Sequence, residues 1–370
     1  MVVKKMAKRI IISGGGTGGH IFPAIAIANA LKRIDPSTEI LFVGALGRME
    51  MERIPAAGYT IVGLDIRGFQ RKSLLKNLAL PFQVISSLMK ARSVIRDFKP
   101  DAAVGVGGYA SGPLLYMAGM MKVPYLIQEQ NSYAGITNKW LGKNAKKICV
   151  AFSGMSQFFP ADKIMITGNP IRKEAVDIAG KREEGLRSFG LSLDKKTILV
   201  TGGSLGARTL NECMLKGIDQ FIQEDVQLIW QTGKYYYTSI LASVGDKLPV
   251  NVCIVEFLDR MDLAYAAADV IISRAGAGTI VELYVVKKPV ILVPSPNVAE
   301  DHQTKNALAL TIKNAAIMIT DSKASEELIN AAISLVKNEQ ICMEMSKKIG
   351  GMALPDADEQ IAKEVLLIAG

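Results

Sequence analysis

Two histidines, two tryptophans and four cysteines in 370 residues leave little material for metal or thiol chemistry. The cysteines, Cys149, Cys213, Cys253 and Cys342, stand far apart in no zinc-like spacing, so neither disulfides nor a structural zinc is expected, and a reducing compartment is. No apolar run approaches the eighteen or so residues that a membrane-spanning helix needs. The opening "MVVKKMAKRIIIS" runs from a short apolar stretch into glycines, without the h-region and cleavage site of a signal peptide, and this predicts a protein that stays in the cytoplasm. Acid is in deficit as well: 44 Lys and Arg stand against 35 Asp and Glu, a formal charge of +9. Such a balance favours phosphate, nucleic acid or an anionic membrane as partner. The one Asp-x-Asp, Asp356-Ala357-Asp358, precedes a helical segment instead of ending a strand; it reads as a helix cap, and no metal site is expected.

Hydrophobic residues make up 49% of the chain, enough for well-filled cores, and the length points to two domains. Short continuous apolar runs recur: "RIIIS", "EILFVGA", "AAVGVGG", "PYLIQEQ", "KICVAF" and "IMITG". A second series follows residue 195: "TILVTGG", "QLIWQTG", "VCIVEF", "VIISRAG", "PVILVP" and "AAIMIT". Such runs, alternating with helical segments, predict an α/β protein of two Rossmann-like, doubly wound parallel sheets. The break falls in "TGNPIRKEAVDIAGKREEGLRSFGL", and the final "DADEQIAKEVLLIA" is an amphipathic helix with an acidic first turn.

Five glycines crowd into six positions at Gly14-Gly15-Gly16-Thr17-Gly18-Gly19, between a strand and the helical "FPAIAIANALKRI". Glycines there admit positive φ and let backbone N–H groups approach a ligand at a helix N-terminus, as an anion or sugar-phosphate cradle does; a tight turn alone would also use them. The spacing Gly14-x-Gly16-x-x-Gly19 satisfies the dinucleotide fingerprint, yet the second strand ends "ILFVGALG" without the acid that would hold a ribose. "TILVTGGSLGARTLNE" and "VIISRAGAGTIVEL" place further glycine turns before helices, with Ala277, Gly278 and Thr279 opening the last. Several such turns suit a two-substrate transferase better than a one-cofactor dehydrogenase. Glu282, three residues beyond Thr279, is placed either to accept from the ribose hydroxyls of a nucleotide or to stabilise the helix dipole.

Seven segments, "GGGTGGHIFPAIAIA", "GVGGYASGP", "QEQNSYAGITNKWL", "TGNPIR", "GGSLGA", "SRAGAGTIVEL" and "HQTKNA", together closely resemble the MurG family. These are the UDP-N-acetylglucosamine transferases that convert lipid I to lipid II in bacterial peptidoglycan synthesis. The resemblance runs from about residue 9 to 310, in order. It implies a GT-B fold: two Rossmann-like domains, residues 1–168 with 353–370 and residues 169–352, separated by a cleft, the last helix returning to the first domain. It implies an inverting hexosyltransferase without cofactor, using UDP-N-acetylglucosamine and the lipid I acceptor, undecaprenyl-diphospho-N-acetylmuramoyl-pentapeptide. Carried onto matching positions, Glu282 would hold the ribose, Ser204 and Arg172 the diphosphate, the Leu258 backbone the uracil and Gln303 the sugar hydroxyls. Thr17, Gly18, Gly19 and Asn131 would lie beside the transferred sugar and the acceptor. Leu205 departs from the polar residue expected within "GGSxGA", so no side-chain contact is assigned there.

Two groups compete for the base that takes the acceptor's proton: His20, beside the first glycine turn, and Glu129 in "QEQNSYAG". Tyr109, in "GVGGYASGP", is either a cleft residue or a core aromatic. Residues 67–99 carry eight basic residues and the single acid Asp97 among Leu74, Leu75, Leu78, Leu80, Phe82, Val84, Ile85, Leu88 and Met89, with Pro81 dividing the stretch into two helices. A basic apolar stretch of this kind fits an anionic bilayer, and hence peripheral attachment to the cytoplasmic face of the cell membrane. Aromatics are too sparse among the bases for nucleic acid. The alternatives are another GT-B transferase, a UDP-sugar epimerase, or a non-catalytic UDP-sugar-binding scaffold of the envelope.

Overall fold

The structure, a computed structural model, describes residues 7–67, 80–203, 205–245, 248–298 and 301–370. The chain divides into two units, Met1–Ile171 with Leu354–Gly370, and Arg172–Ala353. The first contains β1 (Arg9–Gly14), α1 (Gly18–Ile34), β2 (Glu39–Ala45), α2 (Glu50–Ala56), β3 (Thr60–Leu64), α3 (Leu80–Phe98), β4 (Ala102–Gly107), α4 (Ser111–Met120), β5 (Tyr125–Glu129), α5 (Ile136–Gly142), β6 (Lys147–Val150) and β7 (Ile164–Ile166). The second contains α6 (Lys173–Val176), α7 (Arg182–Ser188), β8 (Thr197–Thr201), α8 (Arg208–Gln223), β9 (Gln227–Gln231), α9 (Tyr237–Val244), β10 (Val252–Val255), α10 (Met261–Ala267), β11 (Val270–Ser273), α11 (Ala277–Val286), β12 (Val290–Leu292), α12 (His302–Thr311), β13 (Ile317–Met318), α13 (Ala324–Lys337) and α14 (Glu339–Gly350). α15 (Ala357–Ile368) belongs to the first.

Both sheets are parallel throughout, in the orders β3-β2-β1-β4-β5-β6-β7 and β10-β9-β8-β11-β12-β13. The reason is visible in β1 and β11, where Ile10, Ile11 and Ile12, and Val270, Ile271 and Ile272, are buried without alternation: each strand is covered by helices on both faces. In each unit the chain starts in mid-sheet, moves outward over two strands, then returns to the other side of its first strand. Winding therefore reverses between β1 and β4 and between β8 and β11, and ligands of open α/β sheets bind beyond the carboxyl ends of the strands at that reversal. The glycine turns stand there, at residues 14–19 and 107–108 in one unit and at 202–203, 206 and 274–278 in the other.

α15 lies on α1 and buries Ile361, Ala362 and Val365 completely. The cap expected of the Asp-x-Asp pair is not formed: Asp356 occupies the N-cap position without a capping side-chain bond, and Asp358 instead takes a hydrogen bond from Arg33 of α1 at 2.5 Å. Lys8 Nζ donates to Ala369 O at 3.1 Å, holding the far end of the same helix. Pro81 lies at the start of the described part of α3; the preceding half of that basic stretch, with Leu74, Leu75 and Leu78, lies outside the described residues. Burial pushes the Cys149 thiol up to about 12, which leaves it a small inert apolar group.

Candidate functional site

The first turn is built by close backbone packing. A Cβ at Gly107 (φ +105°) would lie 2.7 Å from His20 Cδ2, and one at Gly108 (φ +93°) 2.5 Å from Gly15 O, so side chains are excluded from the seam between the turn and the end of β4. Gly15 N donates to Gly107 O at 3.2 Å. Gly16 N donates to Glu50 Oε2 at 2.8 Å, and Glu50, buried on α2, also accepts from Ala45 N at 3.1 Å through Oε1. One amide of the expected anion cradle is thus spent on the protein's own carboxylate. Thr17 is exposed and extended at the N-cap of α1, with Gly18 and Gly19 forming its first turn. His20 follows, half-buried, its Nδ1 2.9 Å from Gly15 O. A carbonyl only accepts, so Nδ1 carries the proton and Nε2 is the basic nitrogen of the neutral ring.

Glu129 ends β5 and is buried. Its Oε1 accepts from Asn131 N at 3.1 Å and Asn131 Nδ2 at 3.4 Å; its Oε2 accepts from Gly135 N at 3.2 Å and Asn138 Nδ2 at 2.8 Å. Four donors on one carboxylate make it the organiser of the loop that presents Asn131. Tyr109 is half exposed, with the Arg48 guanidinium 5.7 Å over its ring, and is not a core aromatic.

In the second unit the glycine turn after β8 packs against the turn after β9. A Cβ at Gly206 (φ +79°) would meet Thr232 O at 2.0 Å. Gln231 braces the two, accepting from Thr201 Oγ1 at 2.6 Å and donating to Gly203 O at 2.9 Å. Ser204 lies outside the described residues. Leu258 is buried in the loop after β10, beside the half-exposed Phe257. α11 starts after Gly276, and Ala277, Gly278 and Thr279 form its first turn.

Glu282 is the sixth residue of α11, so its carboxylate stands well past the first turn, where the dipole would favour it. It is buried, and Oε1 accepts from Arg172 Nε at 2.9 Å and Arg172 Nη2 at 2.8 Å, while Oε2 accepts from Tyr265 Oη at 3.0 Å. Burial pushes the Glu282 carboxyl above its ordinary range, against the pull of Arg172 and of the Tyr265 hydroxyl. Burial likewise raises Tyr265, keeping its hydroxyl a donor. Arg172, expected on a diphosphate, is here the partner of Glu282, and a groove of about 360 Å³ opens beside it between Lys181 and Arg260. Gln303 Oε1 accepts from Ser295 N at 2.8 Å, which fixes its side chain at the start of α12.

Three residues that the sequence did not mark brace these parts, each within its own unit. Glu50 and Tyr265 are described above. Arg274, inside "SRAGAG", donates to Val293 O at 3.0 Å, Pro294 O at 3.2 Å and Asp321 Oδ1 at 2.5 Å, while Asp321 Oδ2 accepts from Thr209 of α8 at 2.8 Å. Its position next to the glycines was the available signal; its partners were not.

Two parallel-sheet units, each with glycine turns at its winding reversal, define the GT-B architecture of glycosyltransferases. Residues 10–150 match the glycosyltransferase family 28 N-terminal domain and residues 197–361 its C-terminal domain. The UDP-N-acetylglucosamine–N-acetylmuramyl-(pentapeptide) pyrophosphoryl-undecaprenol N-acetylglucosamine transferase of Phocaeicola vulgatus is 58% identical over 98% of this chain and 96% of its own. The crystal structure of Acinetobacter baumannii MurG superposes with a TM-score of 0.80 at 30% identity, covering 97% of this chain and 99% of that one. A UDP-N-acetylglucosamine 2-epimerase, at 16% identity and a TM-score of 0.64 over 98% and 96% of the two chains, shares the fold alone. The chain belongs to glycosyltransferase family 28 and, within it, to the MurG family.

Proposed function

We propose that the chain transfers N-acetylglucosamine from UDP-N-acetylglucosamine to undecaprenyl-diphospho-N-acetylmuramoyl-pentapeptide, with inversion, on the cytoplasmic face of the membrane. The observation that carries the reading is 58% identity, over nearly the full length, to a relative named for that reaction. The assay is UDP release from the donor with and without a polyprenyl-diphosphate N-acetylmuramoyl acceptor. Acceptor-dependent release supports the transferase; conversion of the donor's sugar to its 2-epimer, or binding without release, would replace it with the epimerase or the scaffold.

The second unit holds the donor in this reading. Glu282 accepts from the ribose through lone pairs that Arg172 and Tyr265 leave over, since a carboxylate offers about four. The first-turn amides of α11 at Ala277, Gly278 and Thr279, with Arg172 and Ser204, face the diphosphate; the Leu258 backbone meets the uracil, and Gln303 the sugar hydroxyls. As the bond from the anomeric carbon to the β-phosphate oxygen breaks, its electron pair leaves on UDP, and these fixed donors stabilise the growing charge. On the first unit, Thr17, Gly18, Gly19 and Asn131 position the acceptor, and Tyr109 lines its approach. His20 Nε2 takes the proton of the attacking hydroxyl as the new glycosidic bond forms. Glu129, occupied by four donors, holds the Asn131 loop.

No metal enters this scheme. Among the described residues no three His, Cys, Asp or Glu side chains cluster for a metal, and Asp358 is bonded to Arg33. Turnover should persist in excess chelator; activity lost to chelation and restored by magnesium or manganese would overturn the scheme.

Membrane attachment is supported by adjacent helices of the first unit. Phe82 (74% exposed), Ile85 (55%) and Met89 (64%) share the outer face of α3, opposite the buried Ser87, Ala91, Val94 and Ile95. α3 packs on α4 and α4 on α5, and these expose Met120, Ile136 and Trp140, with Lys90, Arg92, Arg96 and Lys122 exposed alongside. Among the described residues no helix is long and apolar enough to cross a membrane. Apolar side chains that insert gain about 25 cal/mol per Å² removed from water, and each basic residue near an anionic surface adds roughly 1 kcal/mol. Replacing Phe82, Ile85 and Met89 with Ser should weaken binding to anionic vesicles about tenfold or more and spare turnover of a short-chain soluble acceptor. Unchanged vesicle binding by the folded triple variant would remove α3 from the membrane.

A further inference from the structure

We propose that Glu50 is a positioning residue for His20, acting through the peptide group that joins Gly15 to Gly16. That one peptide is held at both ends. Its N–H, on Gly16, donates to Glu50 Oε2 at 2.8 Å, and its C=O, on Gly15, accepts from His20 Nδ1 at 2.9 Å. Glu50 is 1% exposed, and its second oxygen is fixed by Ala45 N, so the carboxylate cannot swing away. The packing is closed around it: a Cβ on Gly15 would stand 2.2 Å from Glu50 Oε1.

A negative charge at the N–H end polarises the peptide and makes its carbonyl a stronger acceptor. The Nδ1 proton is then held in place, the ring orientation is set, and the imidazolium that forms when Nε2 takes a proton is stabilised. A Ser-His-Asp triad does this with a carboxylate directly on the imidazole; here one peptide stands between them. The proposal rests on the reading of His20 as the base.

Among the described residues, none of the other charged side chains around α1 is hydrogen-bonded to this peptide. β4 carries none. β1 has Arg9 at its far start, bonded to Glu39, and α2 adds Glu52 and Arg53. α15 brings Asp358, bonded to Arg33 at the opposite end of α1, with Glu359, Lys363 and Glu364, the last paired with Lys147. Arg48 and Tyr109 stack on each other, and α1 itself has no charge before Lys32.

Two histidines in the whole chain make the test direct. Imidazole NMR of full-length protein labelled with ¹⁵N-histidine resolves both, and His302→Gln assigns them. The neutral wild-type His20 should be the Nδ1–H tautomer. In Glu50→Gln its pKa should fall by about one unit, the ascending limb of kcat against pH should move down with it, and kcat should drop about tenfold with the donor KM within about twofold. An Nε2–H tautomer in the wild type, or an unchanged imidazole pKa and limb in folded Glu50→Gln, overturns the proposal. Should Glu50→Gln fail to fold, Glu50→Asp replaces it: charge withdrawn by one methylene should lower the pKa by less, and no change overturns the proposal equally. A limb that survives His20→Ala would instead sink the base assignment, and it leaves the imidazole comparison intact, so the two failures are distinct.

Discussion

His20→Ala should lose about 10²–10⁴-fold in kcat while binding UDP-N-acetylglucosamine as the wild type does, because a base absent from the transition state is felt there and not in the donor complex. The geometry behind this is specific. Nδ1 is committed to Gly15 O, the ring lies against Gly107, and the basic Nε2 is therefore set by backbone and not by a mobile side chain. Measured against pH, kcat of the wild type should show an ascending limb that the variant lacks. Glu129→Gln is the control with a different expected signature. Its carboxylate takes four hydrogen bonds from the loop at Asn131 and Gly135 and from Asn138 of α5, so the amide should disturb acceptor binding through Asn131 and raise the acceptor KM with the limb retained. A limb that survives His20→Ala and vanishes in Glu129→Gln would transfer the role of base to Glu129.

The doubly wound fold was legible because its cause is local. A strand buried on both faces shows as an unbroken run, as in Ile10-Ile11-Ile12, and a strand-to-helix turn at close backbone approach shows as glycine. The position of those turns at the winding reversal needed the strand order, which only the structure supplies. What stayed illegible was long-range. Glu50 looks like an ordinary first-turn acid of a short helix, and only packing puts it under Gly16, 34 residues earlier in the chain. Arg172 and Glu282 are 110 residues apart, so a partnership between two residues each marked for the donor could not be read from spacing. Tyr265 sits in "DLAYAAAD", where period and composition say core; it is core, and its one polar atom is nevertheless the second anchor of Glu282. The outward face of α3 was ambiguous for the opposite reason: apolar residues at helical spacing imply a buried stripe, and here the smaller residues Ser87 and Ala91 are buried while Phe82 and Met89 are not.

Glu282→Ala should raise the KM for UDP-N-acetylglucosamine by about 10–150-fold, the equivalent of roughly 1.5–3 kcal/mol for a lost charge-assisted contact, with kcat changed far less. Two effects have to be separated, since the same substitution removes an acceptor from buried neighbours. Arg172 keeps 44% of its side chain exposed and can turn to water, but the Tyr265 hydroxyl is buried and would be left unpaired, at a cost of about 1–3 kcal/mol in stability. Glu282→Gln tells these apart. It keeps an oxygen for one partner and the packing of the helix, so thermal stability should lie closer to wild type, while the neutral oxygen holds a ribose hydroxyl more weakly. The decisive comparison uses the 2′-deoxyribose analogue of the donor. Wild type should discriminate against it, and Glu282→Ala should take both donors almost equally, because the group that reads the hydroxyl is gone from both complexes. If the variant discriminates as strongly as wild type, Glu282 supports the pocket from behind with Arg172 and Tyr265, and the ribose is held elsewhere.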